Sequence, residues 1–365
     1  MLDLLKIRRE LHQIPEPSFH EWETQKTICS YLDQLHGIQY QTFDFPGILV
    51  TYKVNEGTYK LFRADMDGLP FNEETNCGFE SKNQGWMHAC GHDIHMTVLL
   101  GLIEKVTSEK PKQNLLFLFQ PAEEGHGGAL RILDSGILDA YQITEVYALH
   151  VSADLPVGTV SSKPGIIFAI PQEYSLRIYG QSAHAAFPQQ GKDALMAGVQ
   201  VYSMMQQSVK KLFSPVEPVI FHVGHLEAGR VCNAIADSCL LEGTHRTLTR
   251  KNHQKLNELL EKTVAHVTSL YDMTYDLNFT SSYDPVLNND ELYGRLKRKV
   301  NEVGYQFIEA EISMTGEDFG FFTSRYSGVL FWLGTGIHPT GLHSSQFLPD
   351  EKSIEPGVQI MFSLI

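Results

Sequence analysis

The sequence predicts an α/β protein: a mostly parallel mixed sheet flanked by helices, with an inserted α+β domain. Three observations carry that prediction. Helix-spaced and strand-like apolar segments alternate as far as residue 151, the pattern of a sheet built from crossover units. Asn114 to Phe119 reads as a continuous apolar run, typical of a strand buried on both faces. Near residue 170 the order changes to β-α-β-β-α-β, which fits a ferredoxin-like insertion.

Taken in order, Leu2 to Gln13 has apolar residues at helical spacing and is closed by Pro15-Glu16-Pro17. Its charges lie inside the apolar run and no small-residue cleavage site follows, so a helix is expected rather than a signal peptide. Glu21 to Leu35 reads as a second helix, and Ile48 to Val54 and Tyr59 to Ala64 as strands. A helix from His95 to Val106, the apolar strand, a helix from Gly128 to Leu133 and a strand from Glu145 to Val151 follow. In the insertion, strands are expected at Glu173 to Tyr179, Val219 to Leu226, Ser238 to Arg246 and Thr274 to Phe279. The intervening helices are Asp193 to Leu212 and His253 to Leu270. Strand-like Gly328 to Leu333 and a final helix, cut short at Ile365, return to the first domain. The expected domains are residues 1–170 and 281–365 for the catalytic part and 171–280 for the insertion.

With 365 residues, 42% hydrophobic and 20% charged, the chain can bury a sizeable core. Its net charge of −14, with no basic cluster longer than Lys297-Arg298-Lys299, argues against nucleic acid or an anionic membrane as partner. No segment reaches the roughly 18 uninterrupted apolar residues of a membrane span. Five cysteines without regular spacing favour reduced thiols, and so a cytoplasmic location, over a disulfide framework.

The candidate chemistry falls at the carboxyl ends of the predicted strands, where open α/β sheets build their sites. Cys90, His92, Glu124, His150 and His343 are assigned to metal. Cys90-Gly91-His92 sets a thiol and an imidazole two residues apart on a glycine-flexed loop, so both can reach one small volume. His150 ends an apolar strand, and His343 follows Gly341-Leu342. Each alone also fits a packed or solvated side chain; five at one sheet edge favour a metal centre. Five ligands exceed the four of a closed structural zinc site, which points to two divalent ions sharing a ligand and clamping a water of lowered pKa. A thiolate favours Zn²⁺, whereas the imidazoles and carboxylate also accept Mn²⁺, Co²⁺ or Ni²⁺. Glu123, beside Glu124, is then the general base, although the pair alone also fits a solvated acidic turn. Asp65 and Asp67 could orient a ligand imidazole or cap a turn. No Cys-x-x-Cys supports a redox role for Cys90.

Several segments carry a family resemblance: Arg8 to Glu16, Arg63 to Pro70, Met87 to Thr97, Phe117 to Gly125, Met314 to Gly320 and Phe331 to Gly334. Through them the chain resembles the di-metal aminoacylase/carboxypeptidase family, in the branch that uses a cysteine and several histidines as ligands, with the hippurate and indole-acetyl-amino-acid hydrolases. The resemblance implies a zinc-peptidase-like fold, a lid and dimerisation role for the insertion, a homodimer, and a small N-acyl amino acid as substrate. It is nearest to the lysine-biosynthesis deacetylases, implying hydrolysis of N-acetyl-LL-diaminopimelate to diaminopimelate and acetate. It supports the five ligands, Glu123 as proton acceptor and the Asp65/Asp67 pair as catalytic support, without choosing between the aspartates. It also implies that His184, in Gly180 to Pro188, polarises the scissile carbonyl, and that Asn233 and Arg246 bind the substrate carboxylate. On sequence grounds alone Arg246 equally fits a surface strand. Two alternatives stay open: another N-acyl amino acid or dipeptide as substrate, and a non-catalytic metal or amino-acid binding protein.

Overall fold

The computed structural model describes residues 1–365, the side chain of His126 excepted. The chain divides into two compact units: Met1–Ile167 with Val286–Ile312 and Asp318–Ile365, and Phe168–Pro285 with Ser313–Glu317.

The first unit is built on an eight-stranded sheet. Its order is Gln39–Thr42, Ile48–Tyr52, Asn114–Gln120, Tyr59–Asp65, Ile143–Ser152, Ser327–Gly334, Thr159–Ser162 and Gln306–Glu309. The four central strands are mutually parallel, with antiparallel pairings toward the edges, which is the mostly parallel mixed sheet expected. Asn114–Gln120 is buried at every position, as its continuous apolar run requires when helices cover both faces. Helix His92–Glu109 is apolar nearly all round; it packs against Tyr59–Asp65 and against helices Leu4–His12 and Ile354–Ser363.

That helix begins three residues earlier than its apolar spacing predicts. Its first turn, His92-Asp93, is polar yet fully buried, so the hydrophobic pattern says nothing of it. Gly91 precedes it at φ +79°, and a Cβ there would lie 2.5 Å from Val151 Cγ2. Only glycine lets the chain turn so close to the strand that carries His150. Helix Asp290–Glu302, capped by Asn289 and buried through Leu292, Leu296 and Val300, is a further element beyond those expected. The short strands Gln39–Thr42 and Gln306–Glu309 carry too little apolar alternation to be seen.

The second unit is a four-stranded antiparallel sheet in the order Ile220–Ala228, Ser238–Thr247, Ile170–Tyr179, Thr274–Ser282. Helices Ala194–Leu212 and Arg250–Leu270 pack together and onto it, burying Ala197, Val201, Leu256, Leu260 and Val264 against Leu176 and Ile178. Asp193 and Thr249 cap the two helices by accepting from the amides of Met196 and Asn252. Both the β-α-β-β-α-β order and the sheet order are those of a ferredoxin-like domain.

Candidate metal centre

Three parallel strands end where the predicted ligands begin. Asp65 closes Tyr59–Asp65, Glu123 and Glu124 follow Asn114–Gln120 across Pro121-Ala122, and His150 lies in the last turnward residues of Ile143–Ser152. Cys90 sits in the turn before helix His92–Glu109, and His343, at φ +56°, is tied to that turn by its amide donating to the Ala89 carbonyl at 2.9 Å.

The five predicted ligands converge. Cys90 Sγ lies 3.3 Å from His150 Nε2 and 3.2 Å from His343 Nε2. Glu124 Oε1 is 3.4 Å from His343 Nε2 and 3.9 Å from His92 Nε2. An oxygen of Glu123, itself buried, lies with donor atoms of His92 and Glu124 within 4.8 Å of one another.

The imidazole tautomers follow from their outer partners. His92 Nδ1 meets the Asp67 carbonyl at 2.9 Å and His150 Nδ1 the Val151 carbonyl at 2.8 Å. A carbonyl can only accept, so both Nδ1 atoms donate, and Nε2 is the nitrogen each ring turns toward the other candidate ligands. His92 Nε2 and Glu124 Oε1 are buried with no hydrogen-bond partner among the described residues. Orphaned inward donor atoms beside a thiol fit a divalent cation, since burying such groups unpaired is costly.

Charge points the same way. Burial opposes protonation of His92, but Asp65, Asp67 and Glu124 outweigh it and push the imidazole up to about 10. Burial, then Glu124, Glu123 and Asp65, hold the Cys90 thiol well above its ordinary value. A bound cation inverts that logic and favours the thiolate.

The two aspartates differ in their surroundings. Asp65 is gripped by Arg63 Nη1 and His95 Nδ1, both at 2.6 Å. Asp67 Oδ2 accepts from Ser18 Oγ at 2.7 Å and from the Glu124 amide at 3.0 Å, and its Oδ1 lies 3.3 Å from His92 Nδ1. Asp67 therefore touches both a ligand imidazole and the glutamate turn. Arg63, His95 and Asp318 escaped the sequence argument. His95 had a signal, since it lies one turn along the helix from His92, and its Nε2 accepts from the Val151 amide at 2.9 Å.

The other three predicted residues lie in the second unit. His184 is exposed, bridged to Ala234, and its Nδ1 accepts from the Ala186 amide at 3.0 Å, which leaves Nε2 as the donor. Asn233 is exposed and its carbonyl accepts from the Ala185 amide at 2.9 Å. Arg246, half-buried on Ser238–Thr247, gives Nη1 to Thr244 Oγ1 and the His245 carbonyl.

A thiol, inward-facing imidazoles and paired carboxylates at the carboxyl ends of parallel strands define a metal-dependent hydrolase. The chain belongs to peptidase family M20/M25/M40, whose model matches residues 61–365. It is 43% identical over 363 residues to an N-acetyldiaminopimelate deacetylase of Streptococcus uberis, covering 97% of this chain and 96% of that one. It is 38% identical over 367 residues to the enzyme of that name from Shouchella clausii, covering 100% and 98%. Among solved structures it resembles the Bacillus subtilis YXEP protein, a dinuclear metal-binding peptidase of the M20 family, with a TM-score of 0.85, 29% identity, and 99% and 96% of the two chains covered. No helix among the described residues is long and apolar enough to cross a membrane.

Proposed function

We propose that this hydrolase removes the acetyl group from N-acetyl-LL-diaminopimelate, releasing diaminopimelate and acetate in lysine biosynthesis. The observation that carries the reading is the convergence of three imidazole Nε2 atoms, Cys90 Sγ and Glu124 Oε1 on one volume. Relatives named for this reaction, matching over almost their whole length, support the substrate.

Cys90, His92, Glu124, His150 and His343 would hold two divalent ions, with Zn²⁺ or Mn²⁺ favoured over Co²⁺ or Ni²⁺. When bound, the ions supply Lewis-acid polarisation and an acidified water. Glu123 takes that water's proton and delivers it to the leaving nitrogen, turning a poor amide leaving group into an amine. Asp67 holds His92 and the glutamate turn in register, and Asp65 fixes the charge behind them. His184 Nε2–H stabilises the developing oxyanion, and Asn233 and Arg246 take the substrate's carboxylate. Support for Arg246 comes from its half-burial without any carboxylate in ion-pairing distance among the described residues; burial lowers its pKa, a cost that an anionic ligand offsets.

A homodimer through the second unit is part of this proposal. Ile220–Ala228 is an edge strand, and Leu195, Met196, Val199 and Tyr202 leave helix Ala194–Leu212 with an exposed apolar face. Reduced cysteines, all five free, are consistent with a cytoplasmic enzyme.

The test is metal content and hydrolysis of N-acetyl-LL-diaminopimelate beside a panel of other N-acyl amino acids, before and after chelation. Loss of activity on chelation with preference for the diaminopimelate substrate is expected. Equal rates across the panel would remove the substrate assignment, and sedimentation as a monomer would remove the dimer.

A further inference from the structure

The peptide that presents Glu123 and Glu124 is held in an unfavourable conformation by a carboxylate outside the predicted site. Ala122 has φ +58° and ψ +44°, the left-handed region, with its side chain fully buried. For alanine that conformation costs roughly 1–2 kcal/mol and persists only where neighbours impose it. Two contacts impose it. The Ala122 carbonyl accepts from the Gly128 amide at 2.9 Å, and the Ala122 amide donates to Glu21 Oε1 at 2.8 Å. Gly128 is fixed in turn, since a Cβ there would lie 1.7 Å from the Pro121 carbonyl oxygen.

Glu21 is fully buried. It immediately precedes helix Trp22–Leu32 but provides no side-chain cap to it. Its second oxygen, Oε2, has no hydrogen-bond partner among the described residues. A buried carboxyl with one oxygen unsatisfied is costly, and of the backbone amides that hydrogen-bond to it, those of Phe19, Glu21 itself and Ala122, the Ala122 amide belongs to the glutamate turn. Asp67 grips the same turn one step on, through the Glu124 amide.

We infer that Glu21 is a positioning residue for amide hydrolysis: by accepting the Ala122 amide it locks the left-handed turn that aims Glu123 at the reacting water. The inference rests on the proton-transfer role proposed for Glu123. Burial, and then the charge of Asp67, push the Glu21 carboxyl up to about 8. A neutral carboxyl keeps its carbonyl oxygen as acceptor, so glutamine should replace it and aspartate, one methylene short, should not.

The experiment compares Glu21→Gln and Glu21→Asp in the metal-loaded full chain, with Glu123→Gln as control. Expected are a kcat within about twofold of wild type for Glu21→Gln, and a kcat at least tenfold lower for Glu21→Asp. KM and metal content should be unchanged in both. Wild-type kcat in Glu21→Asp, or the reverse order of the two variants, overturns the inference, because reach rather than charge is what is claimed. Should Glu21→Asp fail to fold, Glu21→Gln decides: a folded variant with kcat reduced tenfold overturns it, and one near wild type sustains it. If Glu123→Gln is itself fully active, the role of Glu123 fails. If that control is inactive while Glu21→Asp behaves as wild type, only the role of Glu21 fails.

Discussion

Arg63 and Asp318 lie 255 residues apart in sequence, yet Arg63 Nη2 donates to Asp318 Oδ1 at 2.8 Å where neither side chain meets solvent. Asp318 also accepts from Gln120 Nε2 and from the Ala129 amide, and Arg63 also donates to Asp65 and Gln120. The ends of two parallel strands are thereby joined beneath the candidate metal centre. Asp318→Ala takes a carboxylate away from a buried guanidinium and removes the acceptor of the Ala129 amide, so a loss of about 3–5 kcal/mol is expected. Asp318→Asn, which keeps an acceptor oxygen, should lose less. Urea midpoints of the full chain measure both, and an unchanged midpoint for Asp318→Ala would show that the network adds nothing to stability.

Glu123 and Glu124 should separate cleanly under mutation. Glu124 Oε1 faces the imidazoles of His92 and His343, whereas Glu123 is assigned the proton. Glu123→Gln should retain metal and lose about 10²–10⁴ in kcat, the usual contribution of a general base. Glu124→Gln should lose metal as well as activity. Metal analysis beside kinetics decides it, and metal loss in Glu123→Gln with retention in Glu124→Gln would exchange the two roles.

Metal removal should be visible in stability as well as activity. Ions that bind only the folded chain stabilise it by mass action, about 2.7 kcal/mol when free ion is a hundredfold above Kd. Chelation should therefore lower Tm, and added Zn²⁺ or Mn²⁺ should restore it. Cys90→Ser replaces a soft ligand by a hard one, so its Zn²⁺ affinity should fall by more than its Mn²⁺ affinity. Equal losses for the two ions, measured by competition with a chelator of known affinity, would take Cys90 out of the coordinating set.

Five of the eight strands of the central sheet were legible in the sequence, because each is either continuously apolar, as in Leu115 to Phe119, or cleanly bounded by turns, whereas Gln39–Thr42, Thr159–Ser162 and Gln306–Glu309 were not. The convergence of Cys90, His92, Glu124, His150 and His343 was legible because these residue types are chemically unusual at strand ends, a signal that does not depend on periodicity. Arg63, His95 and Asp318 were not, since each acts through a partner distant in sequence and none is diagnostic alone. Glu21 was hidden for another reason: it reads as the first residue of the helix from Glu21 to Leu35, and only the backbone at Ala122 gives its side chain a different part to play. Helix Asp290–Glu302 illustrates the opposite case, where Asn289 followed by Leu292, Leu296 and Val300 was a capping and spacing signal present in the sequence but not used.

A second buried network lies beside the helix that carries His92, and it makes stability depend on pH from both sides. His12 Nδ1 meets Asp93 Oδ2 at 2.7 Å, its Nε2 meets Glu73 Oε1 at 2.9 Å, and Arg8 Nε lies 3.1 Å from Asp93. Burial opposes ionisation of Glu73, but the hydrogen bond and charge of His12, with Thr75 and the Ser81 amide, lower it to about 2. Burial likewise opposes protonation of His12, and Asp93 and Glu73 outweigh it, so its pKa is raised. A depressed carboxyl stabilises the fold above its unfolded value, about 4.3, and loses that contribution as pH falls toward 2. A raised imidazole stabilises it below its unfolded value, about 6.5, and loses that contribution as pH rises through the folded pKa. Both contributions coexist from about pH 5 to 6.5. Glu73→Gln should lower stability at pH 6 and reduce the drop between pH 6 and pH 3 by about 1–2 kcal/mol, allowing for partial solvent screening. His12→Gln should instead flatten the decline above pH 7. Tm measured against pH for the three chains tests both signs, and a Glu73→Gln curve parallel to wild type on the acid side would sink the assignment of that slope to Glu73.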